Sequence, residues 1–338
     1  MFRRLTGPGT ASLFPSGFWG QKAMQLAHDE PAVWHAAVAV GMLHQKEGGS
    51  GLERELVAKL GRNAEIHYNK AMVLAKDMSS PTRLVALCML LVAAANMLDH
   101  WAQAQTHILA GLKITAAHES EDPALRSLRE TLTRLDLQSM TFSESTCPYP
   151  YAQSADVFST DAFLTTLSFH EDTSYEQLSS ELFGMNRALF LLEDATVTDH
   201  VHHGPWLNKF EMFTRIVTQW ESKVAAFEAK YIPQPADFPS RIALRLHHAM
   251  LRLMIQAVGP GPETKFDSML GVFEYMIRLA ATLLREIVSS ISEDRHPLTS
   301  GVTLSLEPGV IVPLWVVIHN CRHSGLRHAA LTLLQNAN

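Results

Sequence analysis

From Leu84 onward, apolar residues recur at Leu84, Leu87, Cys88, Leu91, Ala94, Ala95 and Leu98, the i, i+3, i+4, i+7 spacing of a helix. Val85, Met89 and Val92 make the opposite side apolar too, so the pattern predicts a central, buried helix. Ser80-Pro81 marks its start, because a proline at the first helical position gives up an N–H that would have no intrahelical partner anyway. After Phe266 the pattern is one-sided. Met269, Phe273, Met276, Ala280, Leu283 and Ile287 form one stripe while Glu274, Arg278 and Arg285 lie off it, which predicts an amphipathic helix packed against neighbours. Between Asp237 and Ala257, Asp-Phe-Pro-Ser opens a long helix on which Arg241, Arg245, His248 and Arg252 recur every three or four residues. That face is basic, and four such residues form a solvated stripe more often than a nucleic-acid site.

The segment from Ser143 to Ser180 breaks this rhythm. It is rich in Ser, Thr, Asp and Pro, with Cys147-Pro148-Tyr149-Pro150-Tyr151 near its start, and reads as a long irregular connection with at most one short helix. Pro233-Gln234-Pro235 and Gly259-Pro260-Gly261-Pro262 bracket the helix at 240 to 257. Strand alternation is absent apart from a locally extended Gly301 to Leu306, and no internal repeat is visible. The expected fold class is therefore all-α, a large multi-helix array of antiparallel helix pairs over residues 1-338. At 338 residues the chain exceeds the usual single-core size of roughly 250 to 300 residues. One array, or two packed lobes at 13-142 and 181-335 joined by the irregular segment 143-180, are both open.

Composition narrows the function classes. With 47% hydrophobic and 18% charged residues the chain can bury a sizeable core, unlike a disordered tail. Its net charge of -6 and pI of about 6.3, with no basic run longer than Arg3-Arg4, argue against autonomous DNA binding, which needs cations to neutralise phosphates. Cys88, Cys147 and Cys321 lie far apart without C-x2-C spacing, so neither a six-cysteine zinc cluster nor a disulfide framework can be built from them. Reduced thiols fit a nuclear or cytosolic protein. Met1 to Gly9 lacks the apolar stretch of a secretory signal, and the longest uncharged apolar run, Leu84 to Leu98, is shorter than the roughly 20 residues that span a bilayer. No membrane attachment is expected.

Several blocks carry a resemblance. Phe18-Trp19, the Leu26-Ala27-His28-Asp29-Glu30-Pro31-Ala32-Val33-Trp34-His35-Ala36 run and Leu43-His44 resemble the opening of the fungal-specific transcription factor domain, the helical regulatory region that follows the zinc cluster in fungal zinc-cluster regulators. His67-Tyr68-Asn69-Lys70-Ala71, Trp101 to Ile114, Arg134-Leu135-Asp136-Leu137-Gln138 and the pair Leu306 to Trp315 and Cys321 to Leu334 are similar to further blocks of that family, in its order. The resemblance implies a regulatory domain without catalytic residues, acting in the nucleus or in nucleus and cytoplasm. It also implies protein partners in the transcription machinery or a DNA-binding regulator, and a small-molecule effector. No zinc cluster, basic linker or coiled coil accompanies the blocks, so direct nucleic-acid binding is not expected.

Three constellations invite chemistry. Asp199-His200-Val201-His202-His203, beside Glu193 and Asp194, is the tightest histidine cluster, but H-x-H-H before Gly204-Pro205 fixes too few ligands for zinc and reads as a helix end where His meets the negative dipole. His247-His248 offers fewer still. Glu193, Asp194 and Asp199, or Asp99 with His100, are the candidates for an inward acidic site, yet no DDxxD run, Gly-rich phosphate loop or G-x-S-x-G turn is present. The methionines and Trp19, Trp34, Trp101, Trp206, Trp220 and Trp315 are mostly core, with a pocket between helix pairs as the place for an effector. No catalytic, cofactor-binding or metal residue is assigned, and no cofactor is expected. The leading reading is a transcriptional regulator of a metabolic or secondary-metabolite pathway; the alternative is a stand-alone small-molecule binder or biosynthetic enzyme on the same scaffold.

Overall fold

A computed structural model describes residues 18–48, 53–118, 122–143, 147–151, 154, 174–197, 204–258, 262–293 and 309–336. Among these residues there are twelve α-helices and no strand, the all-α array expected from periodicity. The described chain divides between Pro150 and Tyr151 into two compact units.

In the first unit a π-helical turn, Phe18–Lys22, leads into α1 (Ala23–Asp29). There follow α2 (Pro31–Gly48), α3 (Arg54–Leu74), α4 (Pro81–Met97), α5 (Trp101–Ala117) and α6 (Pro123–Thr141). Every residue of α4 from Val85 to Ala95 is buried, because α2, α5 and α6 pack around it. The two-sided apolarity of the sequence thus reports a helix with no solvent face. The Ser80 side chain accepts a hydrogen bond from the Arg83 backbone N–H at 3.5 Å, and Pro81 takes the first helical position. The helix ends at Met97, and Asp99 just beyond its cap has a φ of 58°, in the left-handed region that Asp tolerates better than most residues. This reversal folds α5 back along α4, and α2 and α3 pair the same way: His35 near the start of α2 meets His67 near the end of α3.

Gly111 on α5 sits where α5 crosses its neighbours. A Cβ there would lie 2.7 Å from Leu132 Cδ1 and 3.3 Å from Cys88 Cβ, so α4 and α6 leave no space for a side chain. An interior helical glycine ordinarily costs about 1 kcal/mol against alanine, and close approach offsets that here. Gly111→Val is expected to destabilise the first unit by about 2 kcal/mol through overpacking, seen as a lower urea midpoint at unchanged slope.

The second unit contains α7 (Tyr175–Val197), α8 (Gly204–Lys230), α9 (Phe238–Ala257), α10 (Leu270–Glu293), α11 (Ile311–Asn320) and α12 (Ser324–Asn336). Leu178, Leu182, Met185 and Leu189 of α7 pack with Phe213, Val217 and Trp220 of α8 and with Leu244 and Leu251 of α9. On α10 the predicted stripe is buried at Phe273, Met276, Ala280 and Leu283, while Glu274, Arg278 and Arg285 are exposed. The side chain of Ile287 lies outside the described residues.

Helix α7 begins at Tyr175, inside the stretch read from sequence as irregular. Ser174 caps it, its hydroxyl accepting from the Gln177 N–H at 3.2 Å. The signal was present as Ser174-Tyr175-Glu176-Gln177, a capping-box spacing masked by the Ser- and Thr-rich context. Most of 143–180, and the local extension expected at Gly301 to Leu306, lie outside the described residues.

Candidate functional site

The π-helical turn places Gln21 and Lys22 at the mouth of α1, and Gln25 follows one turn later on the same face. Opposite them, Ala124, Ser127 and Leu128 occupy the i, i+3, i+4 positions of one face of α6, which Asp122 starts by accepting the Ala124 N–H at 2.9 Å. Together with Phe18 these residues line a half-open cleft of about 200 Å³. Phe18 and Leu128 are buried at 1% and 3% exposure and form its apolar floor. Two carboxamides, a hydroxyl and the Lys22 ammonium supply its polar wall. π-helical turns are rare and recur at functional sites, and this one holds Phe18 and Trp19 edge to face with ring centroids 4.8 Å apart.

Sequence alone gave no reason to join these two segments. Gln21, Lys22 and Gln25 stand inside the opening block, but nothing along the chain says that α6 will cover them. The tryptophans did not build the cleft: Trp19, Trp206 and Trp220 are core, and Trp34, Trp101 and Trp315 are roughly half-exposed.

Elsewhere in the first unit, polar groups inside the resembling blocks hold helices together. The Tyr68 hydroxyl lies 2.6 Å from His107 Nε2, joining α3 to α5. Burial pushes the tyrosine up to about 12 and the imidazole down to about 4, so both are neutral near pH 7; the phenol donates and the imidazole accepts. His35 and His67 face each other Nδ1 to Nδ1 at 2.7 Å, a spacing that requires a proton on one nitrogen only. Burial and then Lys70 hold both below the usual histidine range. Asp136, fully buried, accepts the Tyr149 hydroxyl at 2.7 Å, while Arg134 donates to Thr131 Oγ1 at 3.0 Å.

In the second unit His247 and His248 part company. His247 is wholly buried, donates from Nε2 to the Gly309 carbonyl at 2.8 Å and packs on Phe183, and burial lowers it to about 4. Gly309 has φ 37°, a left-handed conformation that favours glycine, so Gly309-Val310 turns into α11 while anchored to α9. His248 instead bonds Glu221 at 2.6 Å, and Arg252 grips the same carboxylate at 2.6 and 2.7 Å. Arg241 and Arg245 reach Glu228 at 3.6 and 3.4 Å. The basic stripe of α9 is therefore matched by acids of the antiparallel α8. Glu221→Gln is expected to cost about 1 kcal/mol, the modest worth of a partly exposed bidentate pair, read as a small loss of urea stability that vanishes in an Arg252→Met background.

Among the described residues no three His, Cys, Asp or Glu converge on a metal position, and no helix is long and apolar enough to cross a membrane. Asp199, His200, His202 and His203 lie outside the described residues, as do the side chains of Glu193 and Asp194. Asp99 is an exposed turn residue, and His100 precedes α5, its ring 6.5 Å from that of Tyr68. The three cysteines are free, and burial raises the Cys88 thiol to about 12, which leaves it protonated and unreactive.

A family model described as a fungal specific transcription factor domain matches residues 11–193, just over half of the chain. The match takes in the cleft, the Tyr68–His107 bond and the Asp136–Tyr149 bond; the blocks from Leu306 to Leu334 lie beyond it. No curated protein and no solved structure matches the chain.

Proposed function

Because the chain belongs to the fungal specific transcription factor domain family and so has a transcription-regulator kind of role, we propose that it controls a metabolic or secondary-metabolite pathway by acting on other regulatory proteins. The observation that supports this most is the family match over residues 11–193, on helices whose buried contacts use residues of the resembling blocks: His35, Tyr68, His107, Gly111 and Asp136. Acting through a DNA-binding partner accords with a net charge of -6 and three cysteines in 338 residues, and with the pairing of α9's arginines to Glu221 and Glu228. The nucleus, or nucleus and cytoplasm, is the compartment this role requires. The division into lobes 13-142 and 181-335 is part of the same proposal, the first lobe holding the effector cleft.

The test is tethering. The full chain, fused to a heterologous DNA-binding domain and placed upstream of a reporter, is expected to change reporter output. An unchanged reporter with the fusion present in the nucleus would count against the reading. The cleft itself favours a second reading, a stand-alone binder or biosynthetic enzyme on this scaffold. That reading predicts turnover or capture of a pathway metabolite by the purified chain and no effect on transcripts.

A further inference from the structure

We propose that the cleft between α1 and α6 is a binding site for a small organic anion, a carboxylate or phosphate monoester on a short apolar body. The inference rests on the regulator reading only for its meaning as an effector site. The charge comes first. Lys22 is half-buried on the cleft wall and its ammonium has no hydrogen-bond or ion-pair partner among the described residues. Asp122, which caps the facing helix α6, is already engaged by the Ala124 N–H and the Thr82 hydroxyl. A half-buried cation with no described counter-charge on the wall of a concavity makes it a place where an anion is favoured, since a half-buried pair is screened less than one in open solvent.

The rest of the wall sets the ligand's shape. Gln21, Gln25 and Ser127 can donate to anionic oxygens or bond a hydroxyl substituent, and Phe18 and Leu128 offer an apolar floor for a ring or short chain. At about 200 Å³ the space is below the roughly 300 Å³ from which drug-sized pockets begin, so it suits a molecule of about ten heavy atoms. Macromolecular anions do not fit, because their affinity comes from long basic tracks and not from one small concavity.

The purified full chain is titrated with benzoate, with phenyl phosphate and with benzamide, the uncharged isostere of benzoate, by ligand-detected NMR and calorimetry. Saturable binding of at least one anion is expected, with a Kd of about 1 mM for so small a probe. Benzamide and the Lys22→Met variant are each expected to bind about tenfold more weakly, and Ala124→Leu, which fills the cleft, should abolish binding. Preference for benzoate marks the ligand as a carboxylate, and preference for phenyl phosphate as a phosphate ester. Absence of saturation by either anion, equal affinity for benzamide, or unchanged affinity in Lys22→Met overturns the proposal. Should binding fail while tethering still alters the reporter, the cleft inference falls and the regulator reading stands; binding with a silent reporter reverses that outcome.

Discussion

Asp136→Ala is expected to cost the first unit about 3 kcal/mol, one of the two largest effects foreseen for a single group. Asp136 has no solvent exposure, and its carboxyl accepts the hydroxyl of Tyr149, itself 4% exposed, at 2.7 Å. Truncation leaves that hydroxyl without its acceptor in the interior and opens a void on a helix where Leu132, Leu135 and Leu137 are buried too. Tyr149→Phe removes the same bond but leaves no stranded donor and no void, so it should cost about 1 kcal/mol. Urea unfolding of both variants separates the contributions. A Tyr149→Phe loss as large as that of Asp136→Ala would show that the ring's hydroxyl, and not the buried carboxyl, organises this corner.

Acidification is expected to weaken both units between about pH 6.5 and about pH 4. His107 in the first and His247 in the second are each lowered from 6.5 to about 4 by burial. For a base with a depressed folded pKa, the unfolded chain binds its proton first as pH falls, so the stability present above 6.5 is lost on the way down to the folded value. A shift of that size is worth on the order of 3 kcal/mol for each histidine once both states have passed through the window. Protonated His107 can no longer accept from Tyr68, whereas protonated His247 still donates to Gly309 but must carry its charge where no solvent reaches. His35 and His67 push in the same direction, because two imidazolium Nδ1–H groups cannot stand 2.7 Å apart. His247→Gln keeps a donor for the Gly309 carbonyl and removes the titration. It should flatten the acid limb of the second unit while leaving that of the first. An acid limb unchanged in His247→Gln would contradict the assignment.

Parts of this architecture were legible along the chain because the physics was local. Helix α4 announces itself through two-sided apolarity, and burial from Val85 to Ala95 is what that pattern demands. The α10 stripe and the Ser80-Pro81 start are local as well. The basic stripe on α9 was visible, but not what answers it: Glu221 and Glu228 stand on another helix, and their spacing becomes meaningful only once α8 and α9 run antiparallel. His247 and His248 look alike in sequence, yet one residue is about 100° around a helix, enough to send one ring into the core and the other to the surface. The cleft was the least legible feature, since it joins residues more than a hundred positions apart through the packing of helices between them.

Deletion of the gene, with transcripts of neighbouring and co-expressed genes and the metabolite profile read from the same cultures, tests the regulator claim most directly. Transcripts that collapse together with the pathway product are the predicted result. Unchanged transcripts with an accumulating precursor would contradict it and give this helical fold a chemical step of its own.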